Sequence, residues 1–155
     1  VPGLAVGVGT TMLLHCDLVY VASDAKLTTP FVNLALVPEA ASSILLPARI
    51  GHARSFAMFA LGDALTGEQA AQLGVANVAM PKDMVLKAAR EAAAKLAQRP
   101  IGAVMAAKKL MRDGEKILAQ SRTESAIFGE RLRSAEAMEA FTAFQQKRAP
   151  DFSKL

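Results

Sequence analysis

Thr66-Gly-Glu-Gln-Ala-Ala-Gln-Leu-Gly-Val-Ala-Asn-Val-Ala-Met-Pro81 is the stretch on which the fold class turns. Its first nine residues read as a short helix with Gly74 at its end, and Val75–Met80 returns to the apolar, β-branched character of a strand. Pro81 then marks a change of texture. Upstream, short segments alternate: a glycine-rich entry at Ala5–Gly9, a helical piece near Val8–His15, and strand-like Asp17–Ala22. Lys26–Thr29 reads as a short partner strand ended by Pro30. Pro38-Glu39 opens a helix through about Ala48, with proline in the first turn, where its missing N–H costs nothing. Gly51–Leu61 reads as another helix, closed by Gly62. Downstream every segment is helical: Lys82–Gln98, Pro100 to near Gly114, Glu115–Arg133 and Ala135–Arg148. Met84, Val85, Ala88, Ala92 and Leu96 recur at three- and four-residue intervals on the first of these, and Met138, Phe141 and Phe144 share one side of the last. The class is α/β leading into an all-helical tail, with residues 1–81 as core and 82–155 as a helical region.

A chain of 155 residues with 52% hydrophobic content suits one domain with a real core. No segment reaches the roughly 18 unbroken apolar residues of a membrane span. Val1–Gly9 lacks the basic flank of a secretory signal and is too rich in glycine. Cys16 is the single cysteine, which excludes a disulfide framework and a multi-cysteine metal site. The net charge is +4, and Lys and Arg concentrate after Lys82. That pattern reads either as a solvated helix surface or as attraction for an anionic ligand. One Tyr and no Trp leave no aromatic platform for base stacking, so nucleic acid is not an expected partner.

Three constellations carry possible chemistry. Ala5-Val-Gly-Val-Gly9 ahead of a helix exposes backbone N–H groups that bind a phosphate or a developing oxyanion; equally it reads as a packing turn. It lacks the third glycine, near Met12, of a dinucleotide fingerprint. Ser42 and Ser43 have no nucleophile elbow around them, His15 reads as a packed or partly exposed histidine, and two histidines without a carboxylate pair make no metal site. Glu39 sits among Val37, Pro38, Ala40, Ala41, Ile44, Leu45 and Leu46. A partly desolvated carboxylate suits a general base, and a first-turn carboxylate also suits a helix dipole.

The order of these pieces resembles the enoyl-CoA hydratase/isomerase (crotonase) superfamily. The matching stretches are Ala5-Val-Gly-Val-Gly9, Cys16-Asp-Leu-Val-Tyr20, Ala25–Phe31, Val37-Pro-Glu-Ala-Ala-Ser-Ser43 with Leu46-Pro-Ala-Arg-Ile-Gly51, Leu65–Val75, Val78-Ala-Met-Pro81 and Phe144–Phe152. The resemblance implies a crotonase-like superhelix of ββα units, here its C-terminal half, followed by a helical region that trimerises, often further into hexamers. It also implies that family members extend further at the N-terminus, where the first oxyanion-hole amide and part of the CoA site lie.

Carried over residue by residue, the second oxyanion-hole amide is the backbone N–H of Val8. The two water-activating glutamates of hydratases fall on Thr11 and Phe31, which perform no acid/base step. The peroxisomal-type Δ3,Δ2-enoyl-CoA isomerases look closer. They share the Thr29-Pro30-Phe31 segment and place a catalytic glutamate where Glu39 stands. Phe128 and Lys147 match positions lining the CoA pocket, partly from a neighbouring subunit. The resemblance therefore implies an acyl-CoA isomerase taking its CoA thioester as substrate, with neither metal nor cofactor. Hydration, another crotonase reaction and a silent acyl-CoA-binding module are the alternatives. The composition suggests a bacterial cytoplasmic protein, and Ser153-Lys154-Leu155 suggests a peroxisomal address if the source is eukaryotic.

Overall fold

The structure is a computed structural model that describes residues 1–153 and 155. The tripeptide Ser153-Lys154-Leu155 thus lies partly outside the described residues.

The glycine-rich entry forms β1 (Leu4–Val6), which turns at Gly7 into α1 (Val8–Thr11) and a 3-10 turn over Met12–His15. Gly7 holds φ 53° and ψ −118°, a combination open to glycine and closed to residues with a Cβ. Its carbonyl accepts the N–H groups of Thr10 and Thr11 at 2.9 and 3.0 Å, so the turn is locked to the helix it starts.

The strand Asp17–Ala22 shortens to β2 (Tyr20–Ala22), and its partner is β5 (Val78–Met80), parallel, with Tyr20 opposite Val78. The Val19 N–H is taken by the Asn77 side chain at 2.7 Å, and Asp17 pairs with Lys108, which ends the ladder early. The expected partner, β3 (Lys26–Thr28), instead joins a second sheet. It lies parallel to β1, with Ala5 opposite Leu27, and antiparallel to β4 (Leu65–Thr66). A turn closed by the Ala25 N–H on the Ala22 carbonyl moves the chain from one sheet to the other.

Thr66 caps α4 (Gly67–Gln72) in a capping box with Gln69. Gly67 is required for room: a Cβ there would stand 1.8 Å from the Ala22 carbonyl oxygen. α2 spans Ser42–Ile50, and α3 (His52–Phe56) continues as a π-helical turn over Ala57–Leu61 before left-handed Gly62. The helix expected to open at Pro38-Glu39 thus begins three residues later, for a reason given below.

Beyond Pro81 the helices are α5 (Val85–Ala97), α6 (Ile101–Met111), α7 (Gly114–Arg131) and α8 (Ala135–Gln145). Asp113 and Ser134 cap α7 and α8 through the N–H groups of Lys116 and Ala137. The stripe expected to pack on α8 turns outward in part. Met138 and Phe144 are exposed, and Ala137, Ala140 and Ala143 are buried, because only small side chains fit where α8 lies against the body. On α5 only Val85 is buried, and α6 buries nothing.

The core consists of Leu14, Val21, Leu27, Leu46, Met58 and Val75, extended by Val85 and Ala137 from the helical region. Among the described residues no helix is long and apolar enough to cross a membrane.

Candidate active site

Glu39 precedes α2 and sits at the first position of a tight turn. Its carbonyl accepts the Ser42 N–H at 3.0 Å, and both central residues are left-handed: Ala40 at φ 58° and Ala41 at φ 55°. Two positive φ values in a row define a type I′ geometry, ordinarily built from Asn-Gly or Gly-Gly. Alanine in this region costs roughly 1–2 kcal/mol per residue, so other groups must impose the turn. The helix starts late for that reason.

Those groups come from distant elements. Glu124 on α7, 4% exposed, accepts the Ala41 N–H at 2.5 Å on one oxygen and the Ser43 N–H at 3.0 Å on the other. The Ser43 hydroxyl also donates to Glu124, and Gln120 donates to the Ser43 hydroxyl at 2.9 Å. From the opposite side, His15 Nε2 meets the Ala40 carbonyl at 2.7 Å, an arrangement in which the imidazole N–H donates. Glu124 therefore occupies the helix-dipole position that Glu39 was a candidate for, and its buried charge is compensated by backbone N–H groups at a helix start.

With the helix end already capped, the Glu39 side chain is available for other chemistry. The hydroxyl of Thr11, itself fully buried, donates to Glu39 Oε1. The segment bearing Thr11 and His15 is fixed in turn at its C-terminal end. Arg49 and Arg112 both donate to the Leu14 carbonyl at 3.2 Å, and Arg112 reaches the His15 carbonyl at 3.0 Å. Burial first, and the neighbouring Arg112 second, hold the Arg49 guanidinium below its ordinary pKa.

Glu39 opens onto a cleft of about 530 Å³ whose lining includes Val8, Phe31, Phe128 and Leu132. Phe31 is buried and packs at 6.1 Å on Phe59, so this side of the cleft is an apolar wall. Val8 begins α1, where the first N–H groups have no partner within the helix. The cleft therefore gathers one carboxylate, the helix-start residue Val8 and apolar surface. Three residues singled out from the sequence, Glu39, Val8 and Phe128, meet there. Lys147 lies elsewhere, exposed at the end of α8 with a left-handed backbone (φ 54°), and is not part of this lining. A wider groove of about 1030 Å³ along α6 and α7 includes His15 but neither Glu39 nor Val8. Among the described residues no group of three His, Cys, Asp or Glu side chains is arranged to hold a metal ion.

The sequence matches the enoyl-CoA hydratase/isomerase family over residues 1–154. The chain belongs to this family. An enoyl-CoA hydratase/isomerase from Pseudoalteromonas atlantica T6c superposes with a TM-score of 0.94 at 40% identity, covering 98% of this chain and 62% of that one. The 2,3-dehydroadipyl-CoA hydratase of Escherichia coli K12 is 30% identical over 154 residues, 98% of this chain and 60% of its own length. The 1,2-epoxyphenylacetyl-CoA isomerase of the same strain is 31% identical over 155 residues, 99% of this chain and 60% of its own length. The chain thus spans about 60% of the length of these curated relatives. Its α/β body with a helical C-terminal region is the crotonase fold.

Glu124 and His15, which build the turn, were not singled out as site residues by sequence reasoning. Nothing around Gln120-Ser-Arg-Thr-Glu124 distinguishes that glutamate from a solvated helix face.

Proposed function

We propose that the protein processes acyl-CoA thioesters and acts as a Δ3,Δ2-enoyl-CoA isomerase with Glu39 as its single acid/base group. The observation that carries this reading is that Glu39 and Val8 line one cleft with Phe31 as apolar wall; the resemblance adds that Thr11 and Phe31 match the positions of the hydratase glutamates. Glu39 takes the C2 proton of a 3-enoyl thioester. The C–H electron pair passes into a dienolate whose charge rests on the thioester oxygen, where the Val8 N–H donates to it. The carboxylic acid then returns the proton to C4, and the double bond ends between C2 and C3. Phe31 and Phe128 keep water from the dienolate. Phe128 also contributes to the CoA side of the site, and Lys147, remote from the cleft of one chain, meets a phosphate from a neighbouring subunit.

Self-association into trimers or hexamers accompanies this reading. It is supported by the outward apolar residues of the helical region, among them Ile101, Met105, Leu110 and Met111 on α6.

Conversion of 3-hexenoyl-CoA to the conjugated 2-enoyl product, followed by absorbance with the protein in its native length, tests the reading. Glu39→Gln is expected to lower kcat by about 10²–10⁴-fold, the range of a lost general acid/base. Thermal stability should hardly change, since Glu124 caps the helix. No conversion by the wild type, or full rate in the variant, overturns the assignment. Hydration is the second reading, favoured by relatives with hydratase names such as the 2,3-dehydroadipyl-CoA hydratase. It is preferred if 2-hexenoyl-CoA is hydrated faster than 3-hexenoyl-CoA is isomerised.

A further inference from the structure

We infer that Glu124 is a positioning residue for Glu39: its buried carboxylate holds the left-handed Ala40-Ala41 turn that sets where the Glu39 side chain enters the cleft. This rests on Glu39 being the proton-transferring group.

Three observations converge on it. Among the described residues Glu124 is the one charged side chain that is buried, at 4% exposure. A carboxylate withdrawn from water in this way needs compensation, and here the Ala41 and Ser43 N–H groups and the Ser43 hydroxyl supply it. Second, the turn it binds is built from residues that disfavour it. Alanine at φ 58° and 55° persists only where the surroundings over-determine the backbone. The third observation is adjacency. Glu39 is the residue directly before those two alanines, and its carbonyl closes the turn on Ser42 at 3.0 Å. Relaxation of Ala40 and Ala41 to ordinary φ values swings the Glu39 Cα and carries the carboxylate away from Thr11 and out of the cleft it shares with Val8. Glu124 thus acts on the reaction through backbone shape, without touching substrate.

Glutamine at position 124 is nearly isosteric but can accept on only one side, so one of the two N–H groups loses its acceptor. In Glu124→Gln, kcat for isomerisation should fall at least tenfold, toward the roughly hundredfold cost of a 1 Å misplacement, with KM little changed. Glycine tolerates positive φ without a carboxylate to enforce it. Ala41→Gly added to Glu124→Gln should therefore restore a large part of kcat. A merely structural glutamate would show no such selective rescue.

The inference is overturned if folded Glu124→Gln keeps wild-type kcat, or if its loss is not relieved by Ala41→Gly. Should Glu124→Gln alone fail to fold, Ser43→Ala carries the test. It removes one donor to Glu124 and should lower kcat by a smaller factor at unchanged KM; unchanged kcat overturns the inference. Glu39→Gln, run in parallel, separates the two claims. Retained rate in that variant defeats the assignment of Glu39, whereas its loss alongside full activity in Glu124→Gln defeats only the positioning role.

Discussion

Two turns deliver residues to the cleft, and they solve the same backbone problem in opposite ways. The turn before Val8 uses Gly7, whose φ of 53° carries no Cβ penalty, and it closes on its own helix through Thr10 and Thr11. The turn after Glu39 uses Ala40 and Ala41, which pay that penalty, and it is held by Glu124 and His15 from other parts of the chain. One is closed mainly within its own helix, with a single long-range bond from the Gly7 N–H to the Thr28 carbonyl at 2.9 Å. The other exists only when the whole molecule is assembled, so the amide donor can be set early while the carboxylate is set last.

Substitutions can break or sharpen that contrast. The largest effect is expected from Gly7→Ala. At φ 53° and ψ −118° an alanine is strained although nothing crowds its Cβ. It should destabilise the protein by about 1–3 kcal/mol in urea unfolding and lower kcat through the displaced Val8 amide. Wild-type behaviour would mean that the first turn is as externally imposed as the second. Thr11→Val comes next. It removes the hydroxyl that donates to Glu39 Oε1 and should cost about 0.5–1.5 kcal/mol in the same measurement, with kcat reduced more than KM is changed. No effect on either would show that the backbone turn alone aims the carboxylate.

Ala41→Gly alone should be close to neutral. Relief of the left-handed penalty, roughly 1–2 kcal/mol, is offset by the roughly 0.5–1 kcal/mol that glycine loses in chain entropy together with the roughly 0.8 kcal/mol of one buried methyl. A large destabilisation would mean that the alanine methyl, which is fully buried, matters more than the backbone angle. The smallest effect lies away from both turns. Glu139 pairs with Arg148 and accepts the Asp151 N–H, and the Arg148 hydrogen bond foremost lowers its pKa from 4.5 to about 2. Because the folded value is depressed, the pair's contribution is present above pH 4.5 and is lost as pH falls toward 2. The melting temperatures of wild type and Glu139→Gln should therefore converge over that interval, and a constant difference would refute it.

These contrasts also explain what the sequence discloses. Gly7 announces a special backbone by its identity, and the capping box at Thr66 and the helices after Pro81 follow from local pattern. Ala40 and Ala41 carry no such mark, because alanine favours helix and Pro38-Glu39 looks like a helix start. The decisive partner, Glu124, stands 83 residues from Ala41 on a helix whose neighbours are polar and ordinary. Pairing of β2 with β5 rather than β3 is likewise a long-range choice. The α8 stripe misled for a different reason. Apolar residues reveal a face only where there is space to bury them, and at this contact alanines take the inner side while Met138 and Phe144 point outward. The family resemblance, by contrast, spreads over the whole chain and brought Glu39, Val8 and Phe128 into view together.

The span between Ala41 and Glu124 also sets a timetable. At 5–20 residues per second, a ribosome needs roughly 4–17 s to travel the 83 residues between them. During that interval the nascent chain has the Thr11 hydroxyl and His15, which meets the Ala40 carbonyl, but lacks the Glu124 carboxylate that binds the Ala41 and Ser43 N–H groups. The Glu39 turn is completed by the arrival of α7, long after Glu39 itself has left the exit tunnel.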